Sequence, residues 1–489
     1  MRALENLSFD NTFARLPDAF YVRVMPTPLT NPYLVSFNPD VAALIDLDPD
    51  EAKRPEFVGC FGGSHLLPGS DPLAMLYSGH QFGHYVSRLG DGRAILLGEV
   101  RSQAGGKWDL HLKGAGLTPF SRDDDGRAVL RSTIREYLCS EAMHGLGIPT
   151  TRALCIIGSD LPVYRETVET GATLLRLAPS HVRFGSFEVF YYRRQYERIR
   201  ELADYVIAYQ FPSLVGSPDQ YARFLHEVAT LTGRLLAKWQ AVGFAHGVMN
   251  SDNMSVLGLT LDYGPYGFLD HYDAGYICNH SDRFGRYAFQ HQPDIGYFNM
   301  RCIAQALLPL MSEQDAKTAL ETYEAAFSDH YAELMRAKLG LGETRSEDAS
   351  LATELLYRLQ ADRVDYTIFF RRLSSFRQAQ REENAAVRDL FRNKEAFDEW
   401  AARYRGRLQE EGSHDEERAR RMNQANPKYV LRNYLAQAAI SRATDERDFS
   451  EIDRLRQLLR NPYAEQPEQE QYASAPPEWA EQIFVSCSS

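Results

Sequence analysis

The stretch from Ala241 to Gly264, AVGFAHGVMNSDNMSVLGLTLDYG, most narrowly constrains what this chain can fold into. It sets His246, the pair Asp252-Asn253 and the triplet Asp262-Tyr263-Gly264 among glycines and short apolar runs. A helical pattern running from Ser217 into Trp239 precedes it, so the chain must turn at Gly243, extend, and offer Asp252, Asn253 and Asp262 from loops. Two carboxylates and an amide are hard oxygen donors of the kind that hold Mg²⁺ against phosphates. The stretch therefore predicts a nucleotide-and-metal site.

Spacing sharpens the expectation. Protein kinases carry H-R-D-x-x-x-x-N followed by D-F-G, in which the Asn and the second Asp bind metal. His246 to Asn253 keeps that spacing, and Asp262-Tyr263-Gly264 fits the second motif. The catalytic Asp of the kinase register is missing, because Val248 stands there and cannot accept a proton. Asp252 offers a carboxylate displaced along the loop.

Upstream residues supply the phosphate side of such a site. Gly90-Asp91-Gly92-Arg93 is a glycine loop whose backbone could approach a phosphate closely, although tight hairpins use the same pattern. The alternating run WDLHLKGAG reads as a strand carrying Lys113. Leu130, Ile134 and Leu138 mark a helix that stops near Gly145 and carries Glu136. A strand lysine held by a helix glutamate is how a kinase aims an ammonium at nucleotide phosphates. Further strands are expected at Ala153 to Ile157, Val163 to Glu166 and Thr173 to Leu177. Arg176 and Arg183 follow, in a segment that lines the adenine slot of a kinase and is normally apolar. Either they face outward, or the nucleotide lies the other way round, since guanidiniums match phosphate oxygens. His80 and His84 have the i, i+4 spacing of two ligands on one helix face, but without a third ligand they read as hydrogen-bonded structural histidines.

Composition excludes some classes of function. The net charge of −12, from 54 Lys and Arg against 66 Asp and Glu, argues against nucleic acid or an anionic membrane as the main partner. No apolar leader and no run of about 18 apolar residues is present, so a soluble cytoplasmic protein is expected, with monomer as the default. The six cysteines make no C-x-x-C pair and no zinc spacing. Cys487, third from the end, is either an incidental thiol or a redox element. Helical stripes recur at Glu313 to Lys338, Glu347 to Phe370, Lys394 to Glu411 and Asp415 to Ala438. PYAEQPEQEQYASAPPEW then reads as an extended, mobile connection to the final residues.

LYSGHQFGHYVSRLGDGRA, DLHLKGAGLTPFSRDDDGRAVLRSTIREYL and HGVMNSDNMSVLGLTLDYGPYGFLD, with a Cys near the end, resemble the selenoprotein O family of protein adenylyltransferases along essentially the whole chain. The resemblance implies an α+β, protein-kinase-like bilobal fold. An N-terminal cap (1–70), a sheet lobe (71–185), a helical lobe (186–440) and a C-terminal helix with a mobile tail (441–489) would follow in order. It implies that ATP binds flipped and that AMP passes to Ser, Thr or Tyr hydroxyls of proteins, the chain itself among the candidates. Lys113 would contact phosphates and be held by Glu136; Gly90, Gly92 and Arg93 would form the nucleotide loop; Asp125 and Gly126 would receive the base and ribose. Arg176 and Arg183 would clamp the terminal phosphate, Asn253 and Asp262 would ligate Mg²⁺ or Mn²⁺, and Asp252 would be the proton acceptor. Cys278, in the segment after Asp262, is a candidate disulfide partner for Cys487. An ordinary kinase, a uridylyltransferase using UTP and a nucleotide-binding scaffold without turnover are the alternatives; retention of Lys113, Glu136, Asn253 and Asp262 weighs against the scaffold.

Overall fold

Strands from the first 180 residues pair into one antiparallel sheet in a computed structural model that describes residues 1–379 and 384–486. They are β1 (Tyr21–Arg23), β2 (Tyr33–Phe37), β3 (Leu73–Met75), β6 (Ala94–Arg101), β7 (Lys107–Lys113), β9 (Arg152–Tyr164) and β10 (Val168–Ala178), in the order β1-β3-β6-β7-β10-β9-β2. A short β8 (Ala128–Val129) pairs with β10. Separate from the sheet, β4 (Gly79–Gln81) and β5 (His84–Val86) form a hairpin. The resulting architecture is mixed α/β, with one large sheet and many helices.

The period-two alternation of strands decides what each face carries. Leu110 and Leu112 of β7, with Leu175 and Leu177 of β10, point to a core shared with Val41 of α1 (Pro39–Leu44) and Phe57 and Phe61 of α2 (Pro55–Phe61). Residues from 1–70 thus help cover one face and also supply two strands. The intervening positions Asp109, His111 and Lys113 lie on the other face, and Arg176 sits opposite His111 in the register. Polar groups on a buried sheet face mark where the sheet serves chemistry.

That second face is closed by α3 (Leu130–Gly145), which buries Ile134, Tyr137 and Leu138 and places Glu136 toward Lys113. Next come α4 (Phe184–Tyr192), α5 (Tyr196–Gln210) and the long α6 (Gln220–Val242). Gly243, at φ 76°, ends α6 in the left-handed conformation that glycine adopts without cost. The chain then crosses a small ladder of β11 (Phe244–Ala245) with β12 (Gly267–Phe268), between which the Asp252 and Asp262 loops are held. Helices α7 (Gln292–Leu307) and α8 (Glu313–Leu339) pack on α6. A further cluster around Trp400 and Phe369 joins α8 to α9 (Asp348–Asp362), α10 (Tyr366–Leu373), α11 (Ala385–Arg388), α12 (Lys394–Glu410) and α13 (Asp415–Ala425). Finally α14 (Asn433–Asp445) and α15 (Ser450–Leu459) return to α3. Among the described residues no helix is long and apolar enough to cross a membrane.

Several local expectations change for physical reasons. The run from Glu347 to Phe370 is two helices, because Arg363 takes a left-handed φ of 54° and the Asp365 side chain caps a new start at Ile368 N. The run from Asp415 to Ala438 breaks at Asn426-Pro427, where proline cannot continue the ladder. Val163 belongs to β9, whose partner β10 begins only at Val168. His80 and His84 are not on a helix: Phe82 and Gly83 both take positive φ, the signature of a two-residue hairpin turn. The Pro- and Glu-rich segment is not extended. It forms short 3-10 turns, buries Tyr472 against Glu451 and pairs Glu465 and Glu470 with Lys428.

Candidate nucleotide-binding site

A cavity of about 390 Å³ lies between the sheet, the glycine loop and the Asp252 and Asp262 loops. Its wall includes Gly90, Gly92, Arg93, Lys113, Arg176, Arg183, Val248, Asp252, Asn253 and Asp262. Residues spread over more than 170 positions of sequence converge because two adjacent strands and two loops deliver them from opposite sides. Glu136 stands behind Lys113 and is outside the wall; Asp125 and Gly126 are outside it too, with Asp124 lining it instead. Asp125 is engaged elsewhere, in a two-point ion pair with Arg165 at 2.8 and 2.9 Å.

The glycine loop is braced from beneath. Gly90 sits at φ 141°, and a Cβ there would lie 2.5 Å from the Phe120 ring, so no other residue fits. Thr118 Oγ1 donates to Asp91 O at 2.7 Å and Ser121 donates to Gly92 O. The Asp91 side chain turns inward to His111 Nε2 at 3.0 Å.

Lys113 donates to Glu136 Oε2, and Arg176 Nη1 donates to Glu136 Oε1 at 3.0 Å. Arg176 also reaches Asp262 and His111 Nδ1, the latter at 2.7 Å. Arg183 donates to the other oxygen of Asp262 and to Asp252 O at 2.9 Å, with its guanidinium 4.7 Å from the centre of the Tyr77 ring. Both arginines are 2% exposed, so they face inward and not to solvent. Burial works against ionising Asp262, but Arg183, Arg176 and Lys113 outweigh it and hold the carboxyl well below its ordinary range. Burial opposes Glu136 likewise, and Lys113 and Arg176 hold it low. Asp262 adopts a left-handed φ of 56°, a conformation Asp tolerates better than most residues and one that often marks a functional position.

Asp252 differs. Its Oδ2 accepts from Gln81 Nε2 at 3.2 Å, while its Oδ1 is buried with no hydrogen-bond partner. Burial pushes this carboxyl up to about 7, against the opposing pull of Gln81 and Arg183. A Cβ on Gly79 would come within 2.4 Å of Oδ1, so the β4 backbone rests directly on this side chain. The folded value exceeds the unfolded one, so the stability this group contributes is full below about pH 4 and drains away as pH rises through about 7. A shift of this size has a ceiling of about 4 kcal/mol. Asp252→Asn is therefore expected to melt higher than the parent chain in metal-free buffer near pH 8, with the gap closing toward pH 5. Melting curves whose gap is independent of pH contradict this.

Asn253 Nδ2 donates to Val248 O at 3.0 Å, which leaves its Oδ1 as an acceptor toward the cavity that it lines. His246 is a brace rather than a reactant: its Nε2 donates to Leu261 O at 3.1 Å, it stacks on Trp239, and burial lowers its pKa. Sequence reasoning missed Gln81 and Asn250. Asn250 Oδ1 accepts from Tyr287 Oη at 2.6 Å and from the Phe82 amide at 3.3 Å, tying the hairpin to the loop. Their neighbours in GHQFG and MNSDN were noted, but a lone amide carries no signal of its own. Cys278 is buried, with Sγ 3.5 Å from Ala245 O; Cys487 lies outside the described residues.

A lysine held by a glutamate, two inward guanidiniums and a loop of carboxylates around one cavity form the donor set of a transferase acting on phosphate-linked groups. Comparison with known proteins makes this specific. Residues 3–460 match the family described as protein adenylyltransferase SelO. A protein nucleotidyltransferase YdiU of Myxococcus xanthus is 61% identical over 489 residues, covering all of both chains. Proteins of the same name from Thiobacillus denitrificans and Pseudomonas aeruginosa are 58% and 51% identical, again over the full length of both. The chain belongs to the SelO family and is a nucleotidyltransferase.

Proposed function

We propose that this cleft binds ATP in the reverse of the kinase orientation and transfers its AMP portion to a Ser, Thr or Tyr hydroxyl of a protein, releasing pyrophosphate. The observation that carries the reading is the inward placement of Arg176 and Arg183, buried in the cavity wall and paired with Asp262. Two buried guanidiniums favour the departing pyrophosphate there. The division into a sheet lobe and a helical lobe of kinase type suits the same reading, with the cavity between them.

The donor set fits a divalent cation of the hard, oxygen-seeking kind: Asp262 with its carboxylate and Asn253 with its amide oxygen both line the cavity. When bound by Asn253 and Asp262, such an ion supplies charge neutralisation at the transferring phosphoryl group. Lys113, fixed by Glu136, adds a second positive charge on the same side. The Asp252 carboxylate takes the proton of the acceptor hydroxyl, while Gln81 is bonded to its Oδ2. The hydroxyl oxygen forms a bond to the α-phosphorus, the bond from that phosphorus to the bridging oxygen breaks, and the electron pair leaves with pyrophosphate beside Arg176 and Arg183.

Intact-mass and peptide mass spectrometry after incubation with a divalent ion and an equal mixture of ATP and UTP test the reading. The expected adduct on the chain or an added protein is AMP on a hydroxyl side chain. A phosphoryl adduct contradicts the orientation, and a UMP adduct contradicts the choice of base.

A further inference from the structure

His80 of β4, Glu188 of α4 and Cys302 of α7 meet on the far side of the hairpin, outside the nucleotide cavity. Their ligating atoms lie within 4.8 Å of one another. His80 Nδ1 is 2.5 Å from Glu188 Oε2. Glu188 is fully buried and its Oε1 has no hydrogen-bond partner, while Cys302 is 7% exposed. A plain histidine–glutamate hydrogen bond uses one carboxylate oxygen and no thiol. It accounts neither for the orphaned oxygen, costly to bury alone, nor for the sulfur beside it. A second cavity, of about 450 Å³, opens on the cluster and is lined by His80 and Cys302 together with Arg301, Gln305 and Lys317.

We propose that His80, Glu188 and Cys302 form a binding site for a divalent transition-metal ion of the zinc class, with its fourth coordination position open to this second cavity. The donor set selects the ion: imidazole and thiolate suit borderline-soft metals, whereas the oxygen donors around Asp262 suit Mg²⁺. The ion takes the place of the proton between His80 Nδ1 and Glu188, and that proton moves to the other ring nitrogen, Nε2, beside Tyr192 Oη, so the imidazole stays neutral. Metal bonds of about 2.0–2.2 Å to nitrogen and oxygen spread that pair to about 3.3 Å, a shift within reach of side-chain rotation. The Cys302 S–H bond breaks, its proton goes to solvent, and a metal–sulfur bond of about 2.3 Å forms. No electron is transferred, and the thiolate and carboxylate together neutralise the dication.

The position of the site gives it leverage on the nucleotide cleft. The His80 amide donates to Ser251 Oγ at 2.7 Å, and the next residue, Gln81, holds Asp252 Oδ2. A metal fastening His80 to α4 and α7 therefore fastens the strand on which the proton acceptor rests.

The full chain, stripped with chelator, is titrated with Co²⁺ as a spectroscopic substitute for Zn²⁺. One equivalent is expected to produce a thiolate-to-cobalt charge-transfer band, which the nucleotide cavity cannot give because no cysteine lines it. Cys302→Ser is expected to abolish the band. Glu188→Gln is expected to keep the band and to weaken Zn²⁺ binding about tenfold or more, measured by competition with a chromophoric chelator. Cys302→Ala gives the same reading should the serine variant not fold. Absence of the band in the wild-type chain, its persistence without Cys302, or unchanged Zn²⁺ affinity in Glu188→Gln overturns the proposal.

Discussion

Asp262→Ala is expected to lower AMP incorporation by about 10³-fold or more, equivalent to ~4 kcal/mol of transition-state stabilisation. The size follows from the two tasks this carboxylate carries. It is a carboxylate in the wall of the cleft held well below its ordinary pKa and is the proposed metal donor, and it is the counter-ion on which Arg176 and Arg183 both converge. Removing it leaves two buried guanidiniums short of a partner, and breaking a buried pair costs about 3–5 kcal/mol of stability. The alanine variant should therefore also melt lower in metal-free buffer. Asp262→Asn separates the two effects, because the amide keeps the shape and can still accept from one arginine while binding a divalent ion poorly. Wild-type turnover in either variant, measured by labelled AMP incorporation, refutes the metal assignment.

Lys113→Met and Glu136→Ala are each expected to cost about 10²-fold in kcat/KM, and the double variant little more than either alone. Lys113 and Glu136 are bonded within a buried network, and Glu136 has no route to the nucleotide except through Lys113 and Arg176. Residues acting as one unit give non-additive losses. Glu136→Ala should raise KM for ATP at least as much as Lys113→Met does, because it also removes one of the partners of Arg176, which keeps Asp262 and His111. If the double variant loses the product of the two single losses, the residues act separately and the coupling is absent.

Much of the candidate site is legible in the sequence. The order of glycine loop, strand lysine, helix glutamate, Asn253 and Asp262 is a string of chemistry-bearing residue types, and all but Glu136 line one cavity, with Glu136 bonded to Lys113. Strand β10 and helices α8 and α12 are readable because their apolar runs and stripes persist over most of their lengths. What stayed hidden depends on tertiary contact. The grip of Arg176 and Arg183 on Asp262 needs the register of β10 against β7, which no local pattern encodes. The breaks at Arg363 and Asn426 lie within stripes whose apolar periodicity continues across them, so periodicity alone runs two helices together. His80 is hydrogen-bonded, as expected of a structural histidine, but its neighbours Glu188 and Cys302 stand more than a hundred residues away, where no local spacing points to them.

The central claim is the direction in which the nucleotide lies, and labelled ATP tests it most directly. The chain is incubated with an acceptor protein, a divalent ion and ATP carrying radioactive phosphorus at either the α or the γ position, and the label bound to protein is counted after denaturation. Retention of the α label alone, with the γ label recovered as pyrophosphate, is the result expected. Retention of the γ label on protein would mean that the terminal phosphorus, not the innermost, faces Asp252, and would contradict the account.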